Sequence, residues 1–387
     1  MTNRERILAV LNYQPYDRLP LVHFGFWRET LDKWAEEGHI TREQAEKHGD
    51  GNLEDKIIGT KLGFDANYQS MFYPNAFLAP GFEPEVLEEL TDGVKKVRNG
   101  DGVIVLEKPG AGSIPAEIDH LLKDRSSWEQ HYRHRLQFSE DRVRDAHVWT
   151  GETSLPWTKG GLDFLRNDDR DYLYGLHCGS LFGNIRNILG VTGASYLFAE
   201  DDALFTEIID AVGELCYRCV KMALESGAKF DFGHFWEDIC FKNGPIVSVD
   251  FFREVVMPRY KRINAKLKKH GIDLWYTDCD GDVRPILPFF LEGGINCLFP
   301  FEVMGCAHPA ELLNRYPELR IMGGVDKIEL AKGPEAIKRY LDTLVPLVER
   351  GGYIPFCDHR CPPNVKVEDY LYYLKLKQEM FGAVKPA

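Results

Sequence analysis

Short apolar runs alternate with longer helical patterns throughout the second half of the chain. The apolar runs are residues 172–176, 229–232, 273–276, 295–299, 320–322 and 353–355, with helical patterns in the intervals between them. Such alternation indicates βα units that build a parallel sheet. Candidate strands at 19–24 and near 66–72 raise the count to eight, which predicts an α/β fold of the (β/α)8 TIM-barrel type. No glycine-rich dinucleotide-binding loop follows an early strand, which disfavours an open doubly wound sheet, the alternative.

Two features lie outside this repeat. The chain opens with a helical extension in which the apolar residues of 7–11 share one stripe. Residues 94–106 indicate a β-hairpin around the turn sequence Asn-Gly-Asp-Gly. We interpret residues 75–150, approximately, as an insertion that carries this hairpin within one domain spanning 1–387.

Charge and cysteine content narrow the choice of partner and compartment. The 47 basic and 60 acidic residues give a net charge of −13 without a polybasic block, which argues against nucleic acid as a partner. No apolar run approaches the ~20 residues needed to cross a bilayer, and no signal-peptide core precedes the first helix, so no membrane association is expected. The nine cysteines are dispersed and odd in number, which predicts free thiols and a cytoplasmic protein.

The richest polar cluster, Asp-Cys-Asp-Gly-Asp at 278–282, follows the apolar run at 273–276. Alternate residues of a strand share a face, so Asp278 and Asp280 point the same way if the backbone stays extended. Two carboxylates in this arrangement suit a metal ion or a shared proton. The alternative is an Asp-Gly turn leading into the next helix, with Asp282 as its N-cap.

A second cluster, Cys-Asp-His-Arg-Cys at 357–361, follows the apolar run at 353–355. His359 is a candidate ligand in this cluster, and the alternative is a hydrogen-bonded loop histidine. Cys357 and Cys361 are weak evidence for zinc, because no second cysteine pair of this kind accompanies them.

Other strand ends supply polar or aromatic side chains that together outline a pocket at the carboxyl end of the predicted barrel. Glu237 follows the run at 229–232 and is a candidate ligand or general base. Its neighbour Asp238 is equally suited to cap a helix or to pair with Lys242. The remaining candidates for substrate contact are His23, Trp27, His177, Glu302 and Asp326.

Short motifs that are spread over most of the chain point to a family. Among them are Tyr16-Asp17-Arg18-Leu19-Pro20, Gly179-Ser180-Leu181-Phe182, Trp236-Glu237-Asp238, Asp280-Gly281-Asp282-Val283 and Gly351-Gly352-Tyr353-Ile354-Pro355. With these motifs the chain resembles the uroporphyrinogen decarboxylase superfamily. The decarboxylase itself grips its substrate carboxylates with an arginine-rich segment after the first strand, whereas the matching stretch 23–27 is followed by the single Arg28. Porphyrinogen decarboxylation is therefore not expected, because the counter-charges are missing.

The chain also resembles another branch of that superfamily, the corrinoid-dependent methyltransferases, which include the methyltransferase components of O-demethylases. Members of this branch bind zinc through a His-x-Cys motif at one strand end and a cysteine near the last strand. By this resemblance the ligand positions fall on Asp278, Asp280 and His359, which differ in type but are all able to bind metal. The resemblance implies zinc in a harder, Lewis-acid site, with Glu237 as fourth ligand or proton donor.

The first functional hypothesis is therefore a metal-dependent methyltransferase. It moves a methyl group from a small methoxylated or methylated-amine substrate to the cobalt of a separate corrinoid protein, with Glu237 and Asp278 as catalytic residues. The alternative enzyme is a decarboxylase of a small carboxylic acid, in which Asp278 or Asp280 protonates the carbanion. A non-catalytic ligand-binding barrel is the third hypothesis. The oligomeric state is open, a homodimer included.

Overall fold

The computed structural model describes residues 1–67, 70–108 and 115–382. The strands are β1 (Val22–His23), β2 (Ala66–Asn67), β3 (Met71–Phe72), β4 (Glu85–Glu89), β5 (Lys95–Arg98), β6 (Val103–Glu107), β7 (Ala116–His120), β8 (His147–Trp149), β9 (Ser154–Pro156), β10 (Gly175–His177), β11 (Phe232–Trp236), β12 (Cys240–Phe241), β13 (Gly244–Pro245), β14 (Trp275–Asp278), β15 (Cys297–Phe301), β16 (Arg320–Val325) and β17 (Tyr353–Cys357). The α-helices are α1 (Asn3–Leu11), α2 (Arg28–Glu36), α3 (Arg42–Lys47), α4 (Leu53–Leu62), α5 (Arg125–Ser127), α6 (Asp141–Arg144), α7 (Leu162–Arg166), α8 (Gly183–Glu200), α9 (Asp202–Glu225), α10 (Val249–Phe251), α11 (Met257–Lys269), α12 (Leu287–Glu292), α13 (Pro309–Arg315), α14 (Lys327–Leu330), α15 (Pro334–Arg350) and α16 (Val367–Phe381).

Seven parallel strands form the central sheet, in the order β17-β16-β15-β14-β11-β10-β3. β1 and β2 form a separate parallel pair, and β1 lies against β17, where Phe26 and Cys361 make an isolated parallel bridge. The predicted parallel α/β arrangement is therefore confirmed. Within the described ranges, however, no strand ladder joins β1 to β17 or β2 to the central sheet, so these strands do not form the closed barrel that was predicted.

The six apolar runs of the second half all correspond to strands of the central sheet, but each strand ends later than its run. β10, β11 and β14 therefore include at their carboxyl ends residues that the sequence pattern placed in loops. The strand predicted near 66–72 corresponds to β2 and β3, and residues 68–69 between them lie outside the described part of the chain. The later strand ends decide which side chains enter the site.

The predicted insertion contains a four-stranded antiparallel sheet in the order β4-β5-β6-β7. β5 and β6 form the predicted hairpin, and the Asn99 side chain stabilises its turn by accepting hydrogen bonds from the backbone N–H groups of Asp101 and Val103. Valines from β5 and β6 pack into a small core of their own. β7 lies against α8, which connects this sheet to the rest of the molecule.

Aromatic side chains fill the interior of the central sheet. Phe232 stacks on Tyr276 with ring centroids 4.4 Å apart, and Phe299 contacts both Phe24 and Phe356. Each ring pair of this kind contributes about 0.5–1.5 kcal/mol of stability beyond the contribution of the apolar area that it buries. Because Tyr276 precedes Asp278 by two residues on β14, this aromatic layer lies directly on the amino-terminal side of the polar strand ends.

The helices follow their sequence signals. α1 begins with a capping box in which Thr2 and Glu5 exchange side-chain and backbone hydrogen bonds, as expected for the N-terminal extension. α9 and α15 bury one apolar face each against the central part of the molecule. Across the residues that the structure describes, no helix has the length and apolar character required to span a membrane.

Candidate active site

A cavity of about 280 Å³ opens at the carboxyl ends of β10, β11 and β14, and we call it the inner pocket. Its lining residues are Phe24, Tyr73, His177, Ser180, Asn184, His234, Trp236, Asp278 and Arg360. The sheet register explains the grouping, because His177 lies opposite His234 and Trp236 lies opposite Asp278 on neighbouring strands. In parallel α/β folds, this end of the sheet carries the functional residues.

Asp278, the last residue of β14, is the acid of the inner pocket. Burial raises its pKa well above the ordinary value, and repulsion from the carboxylates of Asp280 and Asp238 adds to the shift. The guanidinium of Arg360 opposes the shift only in part. The side chain therefore favours the neutral carboxylic acid, which is the form that donates a proton.

His177 and His234 form a hydrogen-bonded pair beside this acid. Their Nδ1 atoms lie 3.0 Å apart. Burial lowers the pKa of His177 to about 4, and burial together with the neighbouring His177 lowers the pKa of His234 well below its ordinary value. Both imidazoles are therefore neutral near pH 7, so one Nδ1 donates and the other accepts. The Nε2 atom of His234 is buried and has no hydrogen-bond partner in the structure.

Arg360 forms the opposite wall of the inner pocket but is not available as an unpaired cation. Both terminal nitrogens of its guanidinium bind Asp50, with Nη1 2.6 Å from Oδ1. The guanidinium also lies over the rings of Phe24 and Trp27, at 5.5 and 6.0 Å from their centroids. This wall therefore combines aromatic rings with an ion pair whose net charge is zero.

A second polar group, which we call the rim cluster, consists of Arg186, Asp238, Asp280 and His359. His359 Nε2 lies 3.3 Å from Asp280 Oδ2, and Arg186 Nη2 lies 3.8 Å from Asp238 Oδ2. Asp238 adopts a left-handed backbone conformation (φ 51°), which aims its carboxylate to accept a hydrogen bond of 3.1 Å from the backbone N–H of Asp280. The rim cluster thus pairs most of its charges internally.

The predicted zinc ligands do not converge. Within the described ranges, no group of three or more His, Cys, Asp or Glu side chains is placed to hold a metal ion. The expectation that Asp278 and Asp280 share a face required extended backbone, but β14 ends at Asp278 and the chain turns at Gly281 (φ 83°). Asp278 consequently lines the inner pocket while Asp280 contacts His359. In this geometry the residues do not fit a zinc site, and the proposal below derives no step from one.

Comparison with known proteins places this site in a family. The family model described as uroporphyrinogen decarboxylase (URO-D) matches residues 179–379, which is more than half of the chain. The chain belongs to the uroporphyrinogen decarboxylase family. The matched segment includes β11, β14 and Arg360, and therefore most of the inner pocket of this family member.

The similarity to solved structures extends over the whole chain. In total, 25 solved chains match, among them a methyltransferase from Methanosarcina mazei, which aligns over 98% of this chain and 99% of its own with a TM-score of 0.59 and 15% sequence identity. At that identity the likeness establishes a shared fold. No curated protein sequence matches the chain.

Glu237, the predicted base, lies outside the inner pocket of this uroporphyrinogen decarboxylase relative. It is fully buried, and its carboxylate accepts hydrogen bonds of 2.8–2.9 Å from the backbone N–H groups of Leu181, Phe182 and Gly183. These groups begin α8, so the carboxylate satisfies the exposed donors of a helix start. The position following β11 made Glu237 a candidate for catalysis, whereas its contacts are those of a structural cap.

His23 and Trp27 also differ from their predicted roles in substrate contact. Neighbouring residues of a strand face opposite sides, and it is Phe24 of this segment that lines the inner pocket. His23 is buried on the other side, stacked on Phe64 at 4.3 Å and 3.8 Å from Asp55. Trp27 lies between Arg360 and His359 at the rim, without lining the inner pocket.

Glu302 and Asp326 lie together at the ends of β15 and β16, away from the inner pocket. The Glu302 carboxylate accepts a hydrogen bond of 2.6 Å from Lys327 Nζ. Asp326 caps α14 by accepting a hydrogen bond of 2.8 Å from the backbone N–H of Ile328. Of the predicted site residues, His177 and Asp278 line the inner pocket, and Asp280 and His359 belong to the rim cluster.

His234 is the functional residue that the sequence pattern missed. The predicted strand ended at residue 232, which left His234 in a loop, whereas β11 continues to Trp236. His234 and Trp236 alternate with Gly233 and Phe235 along β11, and a strand prediction extended by four residues would have placed both on one face, with Trp236 opposite Asp278.

Proposed function

We propose that this chain is a methyltransferase that removes the methyl group from an ether oxygen of a small methoxylated substrate and passes it to a corrinoid protein. The observation that carries the proposal is the carboxyl group of Asp278, whose pKa is raised by burial, in an aromatic-walled cavity of about 280 Å³. Small-molecule pockets range from roughly 300 to 1,000 Å³, so a cavity of this size suits a single-ring compound and not a tetrapyrrole. The family membership and the methyltransferase of similar fold support it.

The chemistry of the leaving group explains why an acid is needed. When a methyl ether gives up its methyl group, the oxygen leaves with the bonding electrons and becomes an anion. Asp278 donates its proton to that oxygen as the bond breaks, and the product leaves as a neutral alcohol or phenol. A quaternary amine would leave as a neutral tertiary amine without any proton. The acid therefore favours a methoxylated substrate over a quaternary amine.

The remaining residues orient the substrate for this transfer. The rings of Phe24, Tyr73 and Trp236 give the cavity flat apolar walls on which a substrate ring packs. The cobalt of the corrinoid, carried by a separate protein, supplies the nucleophile that accepts the methyl group. The carboxyl end of the sheet, where the inner pocket opens, is the side from which such an acceptor approaches.

A decarboxylase of a small carboxylic acid is the second candidate, because a neutral Asp278 could equally protonate a carbanion. The surrounding charges weigh against it. Asp238 and Asp280 lie close enough to Asp278 to raise its pKa, and the Arg360 guanidinium is held by Asp50. A substrate carboxylate would therefore enter a region that is already acidic.

The test supplies cob(I)alamin as a surrogate methyl acceptor and 2-methoxyphenol as donor, and follows methylcobalamin by its absorbance. We expect Asp278→Asn to lower kcat by a factor of about 10²–10⁴, the usual contribution of a general acid. Glu302→Gln is the matched control, since it removes a carboxylate of the same sheet end that lies outside the inner pocket and accepts a hydrogen bond from Lys327. Methyl transfer that is unchanged in Asp278→Asn contradicts the proposal. Release of carbon dioxide from small acids, without methyl transfer, would favour the decarboxylase, and tight binding without any turnover would favour a non-catalytic barrel.

Metal content tests the zinc assignment separately. Wild type and Asp280→Ala are purified without chelators, and zinc per chain is measured by mass spectrometry. Because Asp280 contacts His359 and does not line the inner pocket, we expect the two preparations to hold the same amount of metal. One zinc per wild-type chain that is lost in Asp280→Ala would establish the ligand set implied by the family resemblance.

A further inference from the structure

We propose that the His177–His234 pair determines substrate specificity by hydrogen bonding to an uncharged hydroxyl group of the substrate. Where the hydroxyl lies on a methoxylated compound, the inference rests on the proposed function. The recognition itself requires only binding.

The pair is a hydrogen-bonding group whose polarity is not fixed. Two neutral imidazoles that meet through Nδ1 atoms 3.0 Å apart share one proton between those atoms. If His177 donates, neutral His234 carries its own proton on Nε2 and acts there as a donor. If His234 donates, its Nε2 is bare and acts as an acceptor. The shared proton can move from one Nδ1 atom to the other if the two Nε2 atoms gain and lose a proton at the same time. This movement switches His234 Nε2 between donor and acceptor.

The outer atom of the pair belongs to a buried residue that lines the inner pocket. His234 is 4% exposed, and its Nε2 has no partner although the residue lines the inner pocket. A buried polar atom left without a hydrogen bond is costly, so a ligand group that satisfies it gains affinity. A hydroxyl group both donates and accepts, and it is therefore matched by the pair in either tautomeric state.

The charges around the pair select for an uncharged group. In the inner pocket, burial and the carboxylates of Asp280 and Asp238 raise the pKa of Asp278. The Arg360 guanidinium in the opposite wall is bound to Asp50. A carboxylate on the substrate would face these acids without an unpaired counter-ion in the described lining. A hydroxyl group avoids that repulsion and still satisfies His234.

The experiment measures binding by isothermal titration calorimetry with three probes of nearly the same shape. They are 2-methoxyphenol, 2-methoxytoluene, in which a methyl group replaces the hydroxyl, and 2-methoxybenzoate. We expect the wild type to bind 2-methoxyphenol about tenfold or more tightly than either of the others. In His234→Phe, which keeps a ring but no nitrogen, the preference over 2-methoxytoluene should disappear. In His234→Gln, which retains a donor and an acceptor, part of the preference should remain.

Two further measurements keep the outcome unambiguous. Thermal unfolding of each variant establishes that the fold remains intact. His177→Phe provides a second route to the same test because it removes the partner of His234 Nδ1. Equal affinity of wild type for 2-methoxyphenol and 2-methoxytoluene overturns the inference, as does an equal preference in His234→Phe and wild type. One zinc per chain that is lost in His234→Phe would also overturn it, because the pair would then be a metal site. Selective binding of the phenol without methyl transfer would leave the recognition intact and contradict the proposed function instead.

Discussion

Asp278 and Asp358 are both acids at the carboxyl end of the central sheet, and they differ in what surrounds them. Asp358 follows β17 and is fully buried, but its carboxylate accepts hydrogen bonds of 2.9 and 3.1 Å from the backbone N–H groups of Val303 and Lys327. The Lys327 ammonium lies 3.6 Å away. Asp278 faces other carboxylates instead, those of Asp280 and Asp238.

Position at a strand end therefore does not by itself give an acid a role in catalysis. Burial raises the pKa of both carboxyl groups, that of Asp358 to about 6. At Asp358 the backbone donors and Lys327 oppose the shift, and the acid ties three strand ends together. At Asp278 the neighbours add to the shift, which leaves a neutral acid beside a cavity. The groups around each carboxyl therefore distinguish the structural acid Asp358 from Asp278, the candidate for catalysis.

The largest effect on stability is expected from Asp358→Ala. The substitution leaves two buried backbone N–H groups without an acceptor, so the free energy of unfolding should fall by about 3 kcal/mol near pH 4.5. Because the folded-state pKa of Asp358 is raised to about 6, its contribution is complete below the unfolded pKa of about 4 and is lost as the pH rises through 6. Urea denaturation at pH 4.5 and 7.5 should therefore give a smaller penalty at the higher pH. A penalty that grows with pH would contradict this account of Asp358.

Asp278→Asn should have the opposite effect on stability. The isosteric amide cannot ionise, so it avoids the unfavourable charge that Asp238 and Asp280 impose on a carboxylate at this position. Since the pKa of Asp278 is raised, wild type loses stability as the pH rises through that value while the variant does not. Urea denaturation from pH 5 to 9 should show a variant at least as stable as wild type, with an advantage that increases with pH. A variant that is less stable throughout would mean that Asp278 is a structural acid like Asp358.

Glu302→Gln is expected to have the smallest effect. The Glu302–Lys327 ion pair is partly exposed, and pairs of this kind contribute about 0–1 kcal/mol. Lys327 also retains Asp358 at 3.6 Å. The change in the urea midpoint should therefore be small and should diminish further in 0.5 M salt. A loss as large as that in Asp358→Ala would show that Glu302 is part of the same buried network.

The sequence predicted the parallel α/β arrangement well because each βα unit carries its own apolar and helical pattern. It located the ends of strands less well, since a run such as 229–232 stops at the first polar residue whereas β11 continues through His234. Inward-facing polar residues break the apolar pattern, and these are the residues that a site requires. The same feature that creates the inner pocket therefore hides it from a hydrophobicity pattern.

The direction in which a side chain points was the second feature that the sequence pattern did not predict. In β1 both faces are buried, so the pattern does not distinguish His23 from Phe24 as the residue that enters the inner pocket. Glu237 lies one residue beyond β11, and only the three-dimensional contact with the start of α8 identifies its role. The zinc prediction assumed extended backbone through Asp278 and Asp280, whereas β14 ends at Asp278 and the chain turns at Gly281.

The cap formed by Glu237 has a consequence for how substrate preference changes during evolution. Trp236 lines the inner pocket, the adjacent Glu237 holds the start of α8, and Gly183 has no room for a side chain because its Cβ would lie 2.0 Å from the Glu237 carbonyl oxygen. A change in this wall requires several simultaneous substitutions. Single substitutions in descendants of this chain should therefore leave this wall of the inner pocket unchanged.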